Sequence, residues 1–459
     1  MTLNEYLNSL RGKSLSVLGL GISNRPLVNL LLSRGLDVTI RDKRGREAFG
    51  ELGSGLEACG AKLILGDNYL RNLVEDVIFR SPGIMPYLPE IAAAVEHGAV
   101  LTSEMEAFFE VCPCKIIAVT GSDGKTTTTT LIGEMLRAEG KTVHVGGNIG
   151  TPLLDRTDTI SPGDFVVLEL SSFQLITMKR SPNVAVVTNL GPNHLDIHAD
   201  LKEYIDSKKN IFLHQNVDDR LVLNFDNELT HGFAADAKCA VLPFSMREMS
   251  RNGVFLRENM IICAEENGEM PVLDTRGILI PGAHNIENYM AAIAATRGFV
   301  SSENVNRVAR EFGGVAHRIE LVRTLDGVRY YNSSIDSSPA RTIAALGAFD
   351  QKVILIAGGK DKGVPFDSLG PALKERVKAL VLTGMTAEPI KLALERTDGY
   401  GGVPEITVTE GFEDAVLEAQ SLAKEGDIVL LSPASTSFDR FSNFEERGNK
   451  FKEIVNGLT

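Results

Sequence analysis

Short runs of β-branched and other apolar residues recur along this chain, and each is followed by a longer amphipathic stretch. That alternation belongs to βαβ units and parallel sheets, and it excludes all-helical and all-β folds. The first set comprises Leu15–Leu20, Val38–Ile40, Lys62–Leu65, Val77–Phe79 and Val100–Leu101, with Pro26–Arg34 as the first crossover helix and Pro26 expected at its first position. A second set opens at Lys115–Val119 and continues through Phe165–Leu168, Val184–Val187 and Leu221–Leu223. Between Ala240 and Leu273 the period is that of β-hairpins, a side sheet, and helices near Asn285–Arg297 and Glu303–Glu311 close the block. The third set begins with a hairpin, Ile319–Leu325 and Val328–Tyr331 around Asp326-Gly327, followed by Val353–Ile356, Ala379–Leu382, Ile406–Val408 and Ile428–Leu431. With 459 residues, the reading is three α/β domains, 1–104, 105–314 and 315–459, abutting without long linkers.

Charge narrows the partners. Lys and Arg number 47 against 60 Asp and Glu, a net charge of −13, so a polyanionic nucleic acid is not expected as principal partner. No apolar run approaches the ~18 residues of a membrane span. The start, Met1–Asn8, has neither a basic nor an apolar leader region. Five scattered cysteines, with Cys112-Pro113-Cys114 lacking any companion at zinc spacing, fit reduced thiols. The expectation is a cytoplasmic protein that engages neither membrane nor nucleic acid.

The sharpest local signal is Val119-Thr120-Gly121-Ser122-Asp123-Gly124-Lys125-Thr126-Thr127, where a strand ends in two glycines, a lysine and a hydroxyl before a helix. Glycines let backbone N–H groups close around phosphate oxygens, and the helix N-terminus adds partial positive charge. Lys125 can reach β- and γ-phosphates, and Thr126 can ligate Mg2+. The spacing is shorter than G-x-x-x-x-G-K-[ST], with Val119 at the place of the first glycine; a tight turn with an exposed lysine is the plain alternative. About 45 residues on, Phe165–Leu168 delivers Glu169 to a strand end where an ATPase holds its metal, the alternative being a solvated carboxylate. The loop Thr188–His198 follows another strand and places His194 at the same sheet edge, as ligand or substrate contact. Tyr204 and Lys208, four apart, share a helix face; alone, Lys208 reads as a solvated lysine. Gly19-Leu20-Gly21-Ile22-Ser23-Asn24 follows the first strand and Asp42 closes the second, which imitates a dinucleotide fingerprint. Asn24 replaces its third glycine, so a nucleotide turn is indicated but NAD is not.

Together these segments resemble the Mur ligase family, the ATP-dependent amide-forming enzymes of peptidoglycan synthesis. The resemblance spans the chain and rests on Gly19–Gly21, Ser81-Pro82-Gly83-Ile84, Thr120–Thr126, Gly147-Asn148-Ile149-Gly150, Glu169–Gln174, Asn193–Asp196, Pro281–Asn288, Ala316-His317-Arg318 and Ser432–Asp439. The phosphate loop is common to the family and to folylpolyglutamate synthases. Ser81–Ile84, Ser171–Gln174 and Ser432–Phe444 look specific to the D-glutamate-adding branch. The resemblance implies a Rossmann-like first domain for the UDP end of the substrate and a central P-loop-type ATPase domain with a side β-sheet. A Rossmann-like third domain would bring the amino acid. The implied substrates are ATP, UDP-N-acetylmuramoyl-L-alanine and D-glutamate, joined through an acyl phosphate, by a cytoplasmic monomer using two Mg2+ ions.

By the same resemblance, Gly121, Ser122, Asp123, Gly124, Lys125, Thr126 and Thr127 hold the nucleotide phosphates, with Asn285 and Asn288 on the adenine side and Arg318 on the phosphate side. Thr126 and Glu169 ligate one Mg2+ and His194 the second, and Lys208 matches a carbamylated lysine. Asn148 contacts substrate, as do Ser171 and Gln174. Ile22, Ser23, Asp42, Lys43, Arg44, Ser81 and Gly83 fall at the UDP-sugar. Lys362 fits a D-glutamate carboxylate, with Ser437 and Phe444 lining that pocket. One segment departs: Asn332-Ser333-Ser334-Ile335 stands where many members read Asn-Asp-Ser-Lys, and Asp336 is the nearest carboxylate. Rival readings are an NAD-dependent oxidoreductase, a nucleotide-binding switch or transport ATPase, and a sibling ligase or folylpolyglutamate synthase.

Overall fold

The computed structural model describes residues 1–191, 197–249, 252–266 and 268–459. Three sheets follow one another along the chain. The first holds β1 (Leu15–Leu18), β2 (Val38–Asp42), β3 (Lys62–Leu65), β4 (Val77–Arg80) and β5 (Val100–Thr102), ordered β3-β2-β1-β4-β5 and parallel throughout. The chain moves outward from β1 to β3, then crosses back to β4 on the other side of β1. That reversal opens a crevice at the carboxyl ends of β1 and β4, the usual ligand position in such sheets.

The second sheet holds β6 (Lys115–Thr120), β7 (Val143–Gly147), β8 (Phe165–Glu169), β9 (Val184–Val187), β10 (Arg220–Asn224), β11 (Ala240–Ser245), β12 (Gly253–Arg257), β13 (Met260–Glu265) and β14 (Gly268–Asp274). Its order is β14-β13-β12-β11-β10-β9-β6-β8-β7. Pairing is parallel from β7 to β12, and β12, β13 and β14 form the expected antiparallel hairpins. β14 is an outer strand with Pro271 in its middle, and its pairing with β13 shifts register at Ile261/Ile262. The edge strand β7, Val-His-Val-Gly-Gly, was not among the expected strands because its glycines and histidine dilute the apolar signal.

The third sheet holds β15 (Glu320–Leu325), β16 (Val328–Asn332), β17 (Val353–Ala357), β18 (Val377–Thr383), β19 (Glu405–Thr409) and β20 (Ile428–Leu431), in the order β15-β16-β20-β17-β18-β19. Only β15 runs antiparallel. The β15–β16 turn has both Asp326 (φ 49°) and Gly327 (φ 76°) left-handed, the two-residue turn that suits strand twist.

The chain packs as two compact units: Met1–Arg276 with Ile286–Val308, and Gly277–Asn285 with Ala309–Thr459. In the first, one apolar core runs from Leu7, Val17 and Phe79 through Phe108 to Leu168 and Val187, so the first two sheets share their interior. In the second, Leu355, Leu380 and Leu430 pack on one sheet face and Ile356, Val381 and Val429 on the other. Strands buried on both faces explain the continuous apolar runs.

The first crossover helix is Asn24–Ser33, so Pro26 stands third in it rather than first. Asn24 is drawn into the helix because its amide donates to the Leu18 and Gly19 carbonyls at 3.3 and 2.8 Å.

The helix Glu104–Val111 carries two acids into this interior. Glu104 is 5% exposed, and burial pushes its carboxyl up to about 7 despite a 3.3 Å bond from the Leu154 N–H. Burial pushes Glu106 up to about 7 as well, against hydrogen bonds from Ser103 and Thr177. The ordinary value is 4.5, so the folded protein holds protons that the unfolded chain has lost between pH 4.5 and about 7. Stability therefore falls as pH rises through that window, by about 3 kcal/mol for a group so placed. Glu104→Gln is expected to flatten this fall and to be more stable than the parent above pH 7. Denaturant titrations across the window check this, and parallel profiles for parent and variant would overturn it.

Candidate active site

β6 runs straight into the glycine loop, and the helix Lys125–Ala138 starts at its far end. Gly124, the cap, is left-handed (φ 76°), and a Cβ there would strike the Asn288 side-chain oxygen. A Cβ on Gly121 would strike the Thr188 hydroxyl. The loop is fastened from below by the segment after β9. Ser122 N–H donates to Asn189 O at 2.8 Å, Asp123 N–H to Asn189 Oδ1 at 2.9 Å, and Thr188 Oγ1 to Asp123 O at 2.6 Å. Ser122 Oγ lies 2.9 Å from Tyr204 Oη and takes the Gly191 N–H at 2.9 Å. Lys125 Nζ folds over the loop and donates to Gly121 O and Ser122 O at 3.0 and 2.9 Å. Asn288 accepts from Thr128 Oγ1 at 3.2 Å, behind the loop, and Thr127 lies half-buried in the helix's first turn.

Three of the expected residues meet at the end of β8. Glu169, 2% exposed, accepts from Thr126 Oγ1 through Oε2 and from Asn148 Nδ2 through Oε1, both at 2.7 Å. Gly147 lets β7 approach so closely that a Cβ would strike Glu169 O, and the Asn148 N–H donates to that same oxygen at 2.7 Å. Among the described residues no three His, Cys, Asp or Glu side chains converge. One carboxylate, a hydroxyl and incoming phosphate oxygens form the hard-oxygen donor set that Mg2+ accepts, so the residues fit that ion. His194 lies outside the described residues.

Lys208, on the helix Leu201–Lys209, is not a solvated lysine: it is 1% exposed, with Nζ donating to Thr120 Oγ1 at 3.2 Å and Gly121 O at 2.9 Å. Its ammonium stands 4.8 Å from the centre of the Tyr204 ring. Burial and the Lys125 charge push it well below the ordinary lysine value, against the pull of Glu169 and Asp123.

At the first sheet, the expected residues gather on the carboxyl edge. Gly19 (φ 81°) approaches Ser81 so closely that a Cβ would lie 3.1 Å from the serine's own. Asp42 is already engaged: it accepts from the Leu20 N–H at 2.8 Å, the Arg44 N–H at 2.9 Å and the Arg44 guanidinium at 2.7 Å, and these bonds hold it below the usual carboxylate range despite burial. Ile22 is 80% exposed, Lys43, Arg44 and Gly83 are exposed, and Ser23 is half-buried. Ser171 and Gln174 cap the helix Ser172–Leu175 for one another, a structural task that sequence reading did not assign them. Also missed was Arg80, 1% exposed. Its guanidinium donates to Pro82 O (3.1 Å) and Ile84 O (2.6 Å), and to Phe173 O (2.7 Å) beside the capping pair. It therefore ties the Ser81–Ile84 loop to the segment after β8, and burial pushes its pKa down to about 10.

In the second unit the loops after β17, β18 and β20 converge. Gly358 (φ 117°) and Gly359 (φ 149°) leave no room for a Cβ against Thr383 O and Thr436 O. Lys360 and Thr436 exchange backbone bonds of 2.9 and 3.1 Å, bridging the loop that carries exposed Lys362 to the one that carries buried Ser437. Phe444 opens the helix Phe444–Gly457, half-buried, with the His317 ring edge-on at 6.0 Å. Arg318 is exposed, and its charge bears on Asp336. Asn285 opens the helix Ala283–Thr296 and donates to Pro281 O. Of the departing residues, Ser333 accepts the Ile319 N–H at 3.2 Å and Ser334 Oγ donates to Phe444 O at 2.8 Å. Asp336 is 6% exposed, pushed up to about 6 by burial, and accepts from Ser432 Oγ at 2.8 Å. Arg447 was another residue missed: 2% exposed, it donates to Ser334 Oγ and O (3.0 and 2.8 Å) and to Ser435 O (3.1 Å), locking both loops.

Residues 119–296 match the Mur ligase middle domain and residues 317–435 the Mur ligase glutamate ligase domain. The chain is 51% identical over 461 residues to UDP-N-acetylmuramoylalanine–D-glutamate ligase of Ruminiclostridium cellulolyticum, covering 99% of each chain. It is 50% identical over 460 residues to the enzyme of the same name from Acetivibrio thermocellus, again covering 99% of each. Among solved structures, UDP-N-acetylmuramate-alanine ligase MurC from Thermotoga maritima shares the fold, with a TM-score of 0.56 and 18% identity over 97% of this chain and 99% of that one. With half its residues identical to these relatives along its whole length, the chain belongs to the Mur ligase family.

Proposed function

We propose that this protein is an ATP-dependent ligase that joins D-glutamate to UDP-N-acetylmuramoyl-L-alanine in peptidoglycan precursor synthesis, and so serves cell-wall biogenesis, cell shape and cell division. The observation that carries the reading is the meeting of Lys125, Thr126, Asn148 and Glu169 around the glycine loop, with Lys208 against that loop's other side. The substrate's carboxylate is a poor electrophile. Its oxygen attacks the γ-phosphorus of ATP, ADP leaves, and the resulting acyl phosphate has a good leaving group. The amine of D-glutamate then attacks the acyl carbon, and phosphate departs with the proton balance taken by solvent.

Gathering a carboxylate, a triphosphate and a dicarboxylate amino acid demands charge compensation. Lys125 and the N–H groups at the start of its helix would take the β/γ-phosphates, the Ser122 and Asp123 N–H groups being spent on Asn189, and Thr126 and Glu169 would hold Mg2+, which offsets phosphate charge. A second ion at His194 and a carbamate on Lys208 belong to the same proposal. A lysine whose ammonium is disfavoured by burial is a ready amine for CO2, and the carbamate turns a cation into an anionic ligand. Asn285, Asn288 and Arg318 serve the nucleotide. Ile22, Ser23, Asp42, Lys43, Arg44, Ser81 and Gly83, with Asn148, Ser171 and Gln174, serve the UDP-substrate. Lys362, Ser437 and Phe444 serve D-glutamate. Domain limits of 1–104, 105–314 and 315–459, a monomeric state and a cytoplasmic location complete the reading.

The deciding assay is ADP release with ATP, Mg2+ and UDP-N-acetylmuramoyl-L-alanine, adding D-glutamate, L-glutamate, L-lysine, meso-diaminopimelate or L-alanine in turn. Release with D-glutamate alone, and a product heavier by one glutamyl unit, is expected; release with another amine moves the protein to a sibling ligase. Lys208→Ala is expected to abolish turnover with the circular dichroism spectrum retained, and near-normal turnover would remove the carbamate. Lys362→Ala is expected to raise KM for D-glutamate about ten- to hundredfold, the ~1.5–3 kcal/mol of a charge-assisted hydrogen bond, with KM for ATP unchanged. If both constants stay put, Lys362 lies outside the pocket.

A further inference from the structure

The proposed reaction leaves one feature without a task, Cys112-Pro113-Cys114, at the join between the helix Glu104–Val111 and β6. The two Sγ atoms lie 3.8 Å apart. Residues two apart in extended chain project to one side, and a residue before proline is confined to extended backbone. Cys112 has that conformation, φ −62° and ψ 122°, with its N–H anchored on Phe108 O at 2.9 Å. Pro113 fixes the residue between. The pair is therefore held face to face by its own backbone. Both thiols are half-buried, beside an exposed Pro113, so a small reagent can reach them. The hydrogen bond between them is asymmetric in effect. Either thiol can donate, and the contact pushes the Cys112 thiol down, while Cys112 and burial, with Asp164 nearby, push Cys114 up.

We propose that Cys112 and Cys114 form a thiol–disulfide exchange site that reacts with low-molecular-weight disulfides and closes to an internal Cys112–Cys114 bond. The Cys112 thiolate attacks one sulfur of the disulfide RSSR, forming a mixed disulfide and releasing RS−, which takes up the proton Cys112 had lost. Cys114, losing its own proton, then attacks Cys112 Sγ and expels the second RS−, which that proton converts to RSH. The sum is protein dithiol plus RSSR giving protein disulfide plus two RSH: the small disulfide is reduced and the protein oxidised. A disulfide needs its sulfurs about 2.05 Å apart, so the pair closes by about 1.8 Å, within reach of side-chain rotation. A bond that a small thiol can reach is open to exchange, so the step reverses with excess thiol. The site sits at the entry of β6, whose other end is the phosphate loop, and Ile116 N–H there donates to Asn183 Oδ1 at 3.0 Å.

The test uses the full chain with oxidised glutathione, alkylation of remaining thiols and peptide mapping by mass spectrometry. The parent is expected to lose two hydrogens in the peptide carrying residues 112–114, with no glutathionyl group retained there, and to regain them in dithiothreitol. Cys114→Ser is expected to keep one glutathionyl group on Cys112, and Cys112→Ser to react at Cys114 at least about tenfold more slowly. A variant with Cys59, Cys239 and Cys263 all changed to Ser is expected to behave as the parent. A glutathionyl group that persists on Cys112 of the parent, a Cys112 that does not react, or a bond pairing either residue with another cysteine would overturn the proposal.

Discussion

A loop built around Gly121 and Gly124 has little side-chain substance of its own, so its shape has to come from outside. Here it comes from the segment after β9. The Asn189 carbonyl and side chain take the Ser122 and Asp123 N–H groups, and the Thr188 hydroxyl reaches the Asp123 carbonyl. Gly191 of the same segment and Tyr204 hold the Ser122 hydroxyl. With the loop fixed, the Lys125–Ala138 helix begins at its far end, and a helix N-terminus favours negative charge. The Glu169 cluster depends on the same register, because Thr126 is the second residue of that helix.

Buried cations recur in both units, and apart from Arg41, which pairs with Glu75 at 2.9 Å, they share a solution. Arg80, Arg447 and Lys208 are each at most 2% exposed, and each donates to backbone carbonyls and hydroxyls rather than to a carboxylate partner. Burying a charge this way costs desolvation energy, visible in the pKa of both arginines falling to about 10. In return, each cation fixes loops that secondary structure does not reach: Ser81–Ile84 for Arg80, Ser334 and Ser435 for Arg447, Gly121 for Lys208. Loops are otherwise the most adjustable parts of a fold.

How far the sequence discloses this arrangement depends on where each residue finds its partner. The strands were legible because parallel sheets bury both faces, and the glycine loop because it concentrates glycines, a lysine and a hydroxyl at one strand end. The β15–β16 turn was legible from Asp326-Gly327 alone. Glu169 could be placed by its position after an apolar run. Arg80 and Arg447 could not, since the distant partners that give them their tying role, Phe173 and Ser334, lie 93 and 113 residues away and offer carbonyls, which every residue has. Lys208 looked solvated until the resemblance reversed that reading, because nothing local to Tyr204–Lys208 announces that Thr120 and Gly121 wait on the other side. Ser171 and Gln174 carry the S-x-x-Q pattern of a capping box, a signal that was present and passed over.

The hairpin extension of the second sheet has a consequence for how the molecule behaves among its neighbours. A strand at the margin of a sheet offers a row of unpaired N–H and C=O groups to any other extended chain. β14 interrupts that row with Pro271, which has no N–H to offer, and its outer half carries Glu269 and the exposed Met270 beside a register shift. A nine-stranded sheet would otherwise invite a tenth strand from a second molecule. With this margin blunted, the β14 edge is a poor template for an extended segment of a second copy.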